Sequence, residues 1–107
     1  DILVQTELGL FRGYTHSELK AGDKCTVAFR PENVEVTTEP PSPEDNGIEG
    51  KISFASYMGS TLRYEMEHPA GFLLKADIKN PLHHEELGWG SDVYFCFPKS
   101  AALVIAD

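Results

Sequence analysis

The densest group of side chains that could bind a metal ion or transfer a proton is His83-His84-Glu85-Glu86. Adjacent side chains point to opposite faces of a strand and lie about 100° apart on a helix, so neighbouring histidines rarely bind one ion together. The other two histidines, His16 and His68, are far away in the sequence. The spacing therefore favours a solvated acidic turn, and we expect no metal site in this chain.

The patterns that identify nucleotide-binding and hydrolytic sites are absent from the sequence. It contains neither GxxxxGK[ST] nor GxGxxG, and neither GxSxG nor HExxH. Serine, histidine and aspartate are present, but no spacing singles out a catalytic triad. We therefore expect this chain to have no catalytic residues and no bound cofactor, and to be no enzyme in itself.

The most structured polar segment is Phe29-Arg30-Pro31-Glu32-Asn33-Val34. Pro31 fixes φ at a point where the chain leaves a strand, and Glu32 and Asn33 favour a turn before the next strand. Arg30 can pair locally with Glu32 or another carboxylate, or it can bind an external carboxylate or oxyanion with both of its terminal nitrogens. The sequence favours the local, structural role.

Alternation of apolar and polar residues with period two recurs along the chain and predicts strands with one buried face. The residues predicted to face inward are Ile52, Phe54, Leu62, Tyr64, Met66, Phe72, Leu74, Ala76, Ile78, Val93, Phe95 and Phe97. Shorter strands are predicted at 2–7, 10–14, 25–30, 34–36 and 103–105, and only 82–87 could form a turn or two of helix. Many short strands separated by glycine turns indicate an all-β barrel or sandwich.

Residues 38–47 (TEPPSPEDNG) differ in composition from the predicted strands. Pro40, Pro41 and Pro43 cannot donate hydrogen bonds to a sheet, and Glu44 and Asp45 favour water. We expect an exposed, proline-rich acidic loop at 38–47 within a single domain that comprises residues 1–107.

Three conspicuous side chains are predicted to be covered. Cys25 and Cys96 lie in alternating apolar runs, which favours buried, small apolar residues over a disulfide or a reactive thiol. Trp89 lies between Gly88 and Gly90, and packing at one end of a barrel is favoured over an exposed contact.

Composition limits the classes of partner. The chain has 107 residues, 41% of them hydrophobic and 24% charged, which is typical of a globular domain. Nine basic and seventeen acidic residues give a net charge of −8 at pH 7, which disfavours nucleic acid and anionic lipid as partners. No apolar run approaches the roughly 20 residues of a membrane-spanning helix, so direct membrane insertion is not expected.

The sequence also contains an internal repeat. Leu19-Lys-Ala-Gly22-Asp-Lys-Cys25-Thr-Val-Ala-Phe29 aligns with Leu87-Gly-Trp-Gly90-Ser-Asp-Val93-Tyr-Phe-Cys-Phe97, and Val34 and Val36 then align with Ala102 and Val104. Each copy is a glycine turn, a strand and a second short strand. Two such units predict a pseudo-symmetric β structure in which neither copy buries its apolar face alone.

Several segments together resemble the TOBE domain, the transport-associated OB module of ABC-importer ATP-binding subunits. The resemblance extends over roughly residues 8–106. The matching segments are Leu19–Asp23, Val27–Val36, Gly50–Ser53, Tyr57–Ser60, Leu62–Tyr64, Gly71 with Leu73 and Leu74, Asn80, and Gly90–Val93. Ser91, between Gly90 and Asp92, departs from the family's G-D-x-V pattern.

The resemblance implies an OB-like β-barrel with little or no helix. Such a domain is non-catalytic and regulatory, and ATP and Mg²⁺ would bind an ATPase domain elsewhere in the parent chain. The solute class closest to the pattern is that of polyamine, ferric-iron and related small-solute importers. The family motif residues are Arg30, Pro31, Glu32, Gly50, Gly59, Ser60, Asn80 and Gly90.

The resemblance also implies a cytoplasmic location, peripheral to the inner membrane, with a second copy and membrane permease subunits as partners of the parent subunit. A patch that includes Tyr57, Phe72 or Trp89 is the expected interface. The alternative is a free-standing module for a small oxyanion such as molybdate, which would require backbone amides, Ser60 and Thr61 to converge at a subunit boundary, with Arg30 as an optional further ligand. A nucleic-acid-binding OB fold and a hydrolase rank lower.

Overall fold

Within residues 2–79 and 87–107, which the computed structural model describes, the alternating segments form nine strands. They are β1 (Ile2–Thr6), β2 (Gly9–Gly13), β3 (Cys25–Ala28), β4 (Glu35–Thr37), β5 (Asp45–Met58), β6 (Thr61–Glu67), β7 (Leu73–Lys79), β8 (Asp92–Pro98) and β9 (Leu103–Ala106). Two 3-10 helices, Pro31–Asn33 and Lys99–Ala101, are the helical elements of this described part. The predicted all-β class is confirmed. Asn80 and the cluster His83–Glu86 lie outside the described residues.

The strands form one large sheet and two small ones. The large sheet has the order β4-β8-β5-β6-β7, and the small sheets are the pairs β1-β2 and β3-β9. All of these ladders are antiparallel. Their inner faces enclose one apolar core, whose largest fully buried members are Tyr64, Phe95, Phe97, Ile48, Ile52, Leu62, Met66, Val93 and Val104.

The internal repeat predicted from the sequence is confirmed by the structure. The two 3-10 helices occupy the same place in the two copies, and the helices end with equivalent hydrogen bonds, from Val34 N to Pro31 O and from Ala102 N to Lys99 O. In the preceding turns, Gly22 and Gly90 both have positive φ, at +94° and +82°. The two copies therefore share backbone conformation as well as residue pattern.

The two copies pair with each other reciprocally. β3 of the first copy pairs with β9 of the second, and β8 of the second pairs with β4 of the first. The registers are equivalent: Ala28 opposite Leu103 in one ladder corresponds to Cys96 opposite Glu35 in the other. The copies are thus related by a pseudo-twofold axis inside the barrel.

Two equivalent phenylalanines meet at this axis. Phe29 and Phe97 stack with ring centroids 4.1 Å apart and an interplanar angle of 17°. Phe11 of β2 also packs on Phe97, with centroids 5.8 Å apart. Such aromatic contacts add about 0.5–1.5 kcal/mol to the stabilisation that burial provides.

The N-terminal hairpin β1-β2 joins the barrel through Phe11 and through a buried amide. Asn46 is 4% exposed, and its Oδ1 accepts from Arg12 N while its Nδ2 donates to Arg12 O, both at 2.7 Å. This side chain takes the place of a strand partner for β2. Gly13 lies against Ala102, where a Cβ would come within 2.6 Å of the carbonyl oxygen.

Three local predictions need correction. Phe54 is 50% exposed because a β-bulge between Ile52 and Phe54 reverses the alternation. Phe72 is 40% exposed and precedes β7 instead of facing its core side. The loop predicted at 38–47 ends earlier, since β5 begins at Asp45 and Asn46 is buried.

Candidate functional site

Arg30 and Glu32, the charged residues of the family motif, are solvent-accessible. The Arg30 side chain is 79% exposed, and its Nη1 lies 3.9 Å from Oε2 of Glu32. An ion pair this long and this exposed contributes little to stability. Pro31 begins the 3-10 helix between β3 and β4, as the fixed φ of proline predicts. The local pairing predicted for Arg30 is present, but it leaves most of the guanidinium in solvent.

The glycines of the motif have structural explanations. Gly50 lies where β5 meets β6, and a Cβ there would collide with Met66 Sδ and approach Glu67 O to 2.5 Å. Gly59 belongs to the turn that joins β5 to β6, and Gly90 to the turn before β8. None of these positions requires a ligand to account for it.

The oxyanion alternative needs backbone amides, Ser60 and Thr61 to converge, with Arg30 as an optional further ligand. Ser60 lies in the β5–β6 turn, and Thr61 begins β6, where it pairs with Lys79 of β7. In the described part of the chain, the ion pair of Arg30 is with Glu32. Such a site would lie at a subunit boundary, between two copies of the chain, and the oxyanion alternative stays a prediction.

The three predicted interface residues lie at three separate places. Tyr57, 60% exposed, pairs with Leu62 near one end of β6. Phe72 accepts a hydrogen bond from His68 N beyond the other end, about 20 Å away along the strand. Trp89 lies on the β8 side of β5, because Gly90 N donates to Ile52 O.

Trp89 does not pack against the barrel end, contrary to the sequence prediction. Its side chain is 84% exposed, more than any other large apolar side chain in the described part of the chain. The flanking glycines allow the turn but provide no side chains that could cover the indole. An exposed tryptophan is a common contact residue of protein interfaces.

An open groove of about 630 Å³ lies at one end of the large sheet. It is lined by Thr38, Glu49, Gly50, Lys51, Glu67, His68, Pro69, Asp92, Val93 and Tyr94. Lys51 Nζ and Asp92 Oδ1 lie 2.7 Å apart within it, and both side chains are largely exposed. Three strands that are distant in sequence contribute to this groove, so no local sequence pattern predicts it.

A bidentate ion pair joins β6 to β7 on the outer face. Arg63 donates from Nε and Nη2 to the two carboxylate oxygens of Asp77, at 2.7 and 2.8 Å. This bidentate contact lowers the pKa of Asp77, and the same partner raises the pKa of Arg63. The two residues are directly opposite each other in the β6-β7 ladder.

Neither cysteine is disulfide-bonded, and one of the two is buried. Cys25 and Cys96 are both free thiols, and burial, followed by the charges of Glu35 and Asp45, raises the pKa of Cys96 to about 11. Among the described residues, no group of three or more His, Cys, Asp or Glu side chains could hold a metal ion. No helix in this part of the chain is long and apolar enough to cross a membrane.

Comparison with known proteins identifies a family and a fold. The profile of the TOBE domain family matches residues 27–105, from β3 to β9. PotG, the putrescine transport ATP-binding protein of Escherichia coli (strain K12), is 27% identical in an alignment 81 residues long, which covers 74% of this chain and 22% of PotG. The chain thus spans about a fifth of the length of this curated relative.

A solved structure shares the architecture. The crystal structure of the cytoplasmic molybdate-binding protein ModG, in its PEG-grown form with molybdate bound, matches with a TM-score of 0.72 and 12% sequence identity. The match covers 83% of this chain and 66% of the ModG chain. At this identity the likeness concerns the fold alone, and it supports the predicted OB-like β-barrel.

Proposed function

Because the chain belongs to the TOBE domain family, we propose that it is a regulatory and dimerisation domain of the ATP-binding subunit of an ABC importer. The observation behind this proposal is the similarity to PotG over 74% of the chain, together with a family match that extends from β3 to β9. The domain has no chemical step to perform in this scheme. It provides surfaces that respond to, or hold together, the ATP-hydrolysing parts of the subunit.

The relative also supports a class of solute and a location. PotG is by name a putrescine transport protein, so a small polyamine is the solute that we propose, in preference to ferric iron. ATP and Mg²⁺ would bind elsewhere in the longer subunit. The domain would lie in the cytoplasm, at the inner membrane only through permease subunits that the parent subunit contacts.

The exposed apolar side chains support a role in protein contacts. Trp89 is 84% exposed, and Tyr57 and Phe72 are 60% and 40% exposed. Because these residues lie apart, we propose Trp89 as the centre of the contact with a second copy. The other two would then serve separate contacts or none.

The first test is the reading frame that encodes this chain. We expect it to encode a nucleotide-binding domain with a GxxxxGK[ST] loop upstream of residue 1. A frame that encodes only this barrel would contradict the proposal and favour the oxyanion alternative.

The second test uses the full-length subunit. Trp89→Ala should weaken dimerisation at least about tenfold in light-scattering titrations, as removal of an interface tryptophan typically does. Leu10→Ala is the matched control, since Leu10 is 58% exposed on the N-terminal hairpin. Equal behaviour of the two variants would exclude Trp89 from the interface.

The free-standing oxyanion module remains the second candidate, because the barrel resembles that of a molybdate-binding protein. Isothermal calorimetry with molybdate, tungstate and sulfate tests it directly. Under the regulatory proposal none of the three should bind. Saturable heat with one anion, lost in Ser60→Ala, would reverse the order of the two candidates.

A further inference from the structure

The two halves of the barrel differ by one strand. In the second half the chain runs β5, β6, β7, β8, a 3-10 helix and β9. In the first half it runs β1, β2, β3, a 3-10 helix and β4. The hairpin β1-β2 packs near the helix Lys99–Ala101, as the hairpin β6-β7 packs near Pro31–Asn33, so the hairpins are counterparts as well. The described first half has a counterpart for every element of the second half except β5.

The sheet order locates the missing element. The second half forms one continuous sheet, β4-β8-β5-β6-β7, in which β5 bonds to β8 on one edge and to β6 on the other. The counterparts of β4, β8, β6 and β7 are β9, β3, β1 and β2, and β5 has no counterpart in the described residues. Substituting them into the sheet order gives β9-β3, a vacant position, and β1-β2. The two small sheets are therefore the two pieces of a second five-stranded sheet, divided where β5 would lie.

Hydrogen-bond directions show that β3 presents a free edge to this position. Asp107 N donates to Lys24 O, so the even-numbered residues of β3 bond to β9. In an antiparallel strand the alternate residues, Cys25 and Val27, direct their backbone groups to the opposite edge. Their counterparts Val93 and Phe95 pair with β5 across that edge. Within the described residues no strand pairs with β3 there.

A groove separates the two pieces. It has a volume of about 780 Å³ and is lined by Ile2–Gln5 of β1, the segment Leu19–Cys25 and Asp107. Lys24 and Cys25, in the wall of this groove, are the counterparts of Asp92 and Val93, which pair with β5 in the second half. The groove thus lies between the two strands that a counterpart of β5 would join.

We propose that this groove binds a further β-strand, supplied by the polypeptide that precedes residue 1 in the longer protein. The strand runs antiparallel to both β3 and β1, as β5 runs antiparallel to both β8 and β6. It pairs with Cys25, Val27 and Phe29, in the way that Gly50, Ile48 and Asn46 pair with Val93, Phe95 and Phe97. By the same analogy, the residues of the new strand opposite Cys25, Val27 and Phe29 should be a small, an apolar and an amide residue, respectively.

Connectivity favours a strand of the same polypeptide over one from a second copy. β5 leads directly into β6 through the short turn Gly59-Ser60. Its counterpart should lead into β1 through a turn of similar length, because two-residue connections are the commonest between paired antiparallel strands. A strand donated by another molecule would lack this connection. The inference needs only about fifteen preceding residues, so it does not depend on an ATPase domain.

Amide hydrogen exchange in the full-length protein tests the proposal. We expect the amides of Cys25, Val27 and Phe29 to exchange at least about 100-fold more slowly than exposed loop amides, at any protein concentration. The amides of Val93, Phe95 and Phe97 are the internal control, because β5 covers them in every case. A variant that lacks the fifteen residues before residue 1 should lose protection at the first three amides and keep it at the control amides.

Each outcome of this experiment decides the matter. Fast exchange of Cys25, Val27 and Phe29 in the full-length protein overturns the proposal, and so does protection that persists in the deletion variant. Protection that falls on dilution overturns it in favour of a strand from a second copy. Should the deletion variant fail to fold, as shown by exchange at Phe95, the full-length measurement and its dilution series still decide. A reading frame with a preceding segment but no nucleotide-binding domain would refute the proposed function and leave this inference standing.

Discussion

The two links between repeat strands have one backbone shape and two chemistries. The first, Arg30-Pro31-Glu32-Asn33, and the second, Pro98-Lys99-Ser100-Ala101, both form a 3-10 helix that ends in a buried extended residue. The second link achieves this shape without an arginine or a carboxylate. The shared shape thus does not require an arginine or a carboxylate at these positions, and we predict that Arg30 and Glu32 serve function instead of folding.

The two phenylalanines at the pseudo-twofold axis provide the largest test of this equivalence. Phe97 is 1% exposed, whereas Phe29 is only partly buried. Phe97→Ala should lower the free energy of unfolding by about 3–5 kcal/mol, and Phe29→Ala by about half as much. Urea denaturation measures both. Equal losses would mean that the two sides of the axis are packed alike, and Phe97→Leu serves if the alanine variant does not fold.

The repeat turns should behave alike. Gly22 and Gly90 have positive φ and open space around their Cα atoms, so alanine is strained at both positions by backbone conformation alone. Each substitution should destabilise the protein by about 1–2 kcal/mol. Gly88→Ala is the control, because its surroundings are open and its φ is not in the left-handed region; it should change stability by less than about 0.5 kcal/mol. A large difference between the Gly22 and Gly90 variants would break the equivalence.

The two hairpins should differ in their response to pH. The β6-β7 hairpin contains the Arg63–Asp77 pair, whereas the outer face of β1-β2 pairs Leu3 with Arg12 and Gln5 with Leu10. Because the pKa of Asp77 is lowered in the folded state, its stabilisation is complete above the unfolded pKa of about 4 and is lost as pH falls through the lowered value.

Thermal denaturation of Asp77→Asn measures this contribution. The variant should be less stable than the parent protein between pH 5 and 8, and the two should converge as pH falls below the lowered pKa of Asp77. Asp92→Asn is the control, since the exposed Lys51–Asp92 pair should contribute far less. A difference that persists at low pH would show that packing, not charge, explains the effect of Asp77→Asn.

The smallest effect on stability is expected at the first link itself. Arg30→Ala and Glu32→Ala should each change the free energy of unfolding by less than about 0.5 kcal/mol, because both side chains are solvent-accessible. In the full-length subunit they should reduce solute uptake or its regulation several-fold. Ser100→Ala, at the counterpart of Glu32, should change neither property. Loss of stability without loss of uptake would show that Arg30 and Glu32 have a structural role instead.

Much of the fold could be predicted from the sequence because its strands are short and alternate regularly. The predicted bounds of the strands at 2–7, 10–14 and 103–105 agree with the structure to within a residue or two. The repeat was recognisable because leucine, glycine and apolar positions recur with one spacing. These signals are local, or they compare two local patterns.

The errors arose where tertiary contacts override local pattern. Phe54 belongs to a regular alternation, and only the bulge in β5 turns it outward. Asn46 lies in an acidic, proline-rich stretch, yet its side chain is buried because it forms hydrogen bonds with the backbone of Arg12, 34 residues earlier. Trp89 was expected to be covered because large aromatic side chains usually are, and its flanking turn supplies no neighbours.

The candidate sites were less predictable than the fold. Each groove combines residues from strands that are far apart in the chain, and no single segment identifies either one. The motif residues that the sequence emphasises are mostly those that shape turns and close contacts, such as Gly50 and Pro31. They identify the family, and the residues through which the domain contacts a partner stay a prediction.

The raised pKa of Cys96 has a practical consequence for spectroscopy. With a pKa of about 11, only roughly one Cys96 thiol in ten thousand is ionised at pH 7, and the side chain is 8% exposed. Cys25 is more accessible and lines the groove beside β1. A maleimide fluorophore should therefore attach selectively to Cys25 in the unmodified sequence. Its emission would report, in real time, whether that groove is wet or filled.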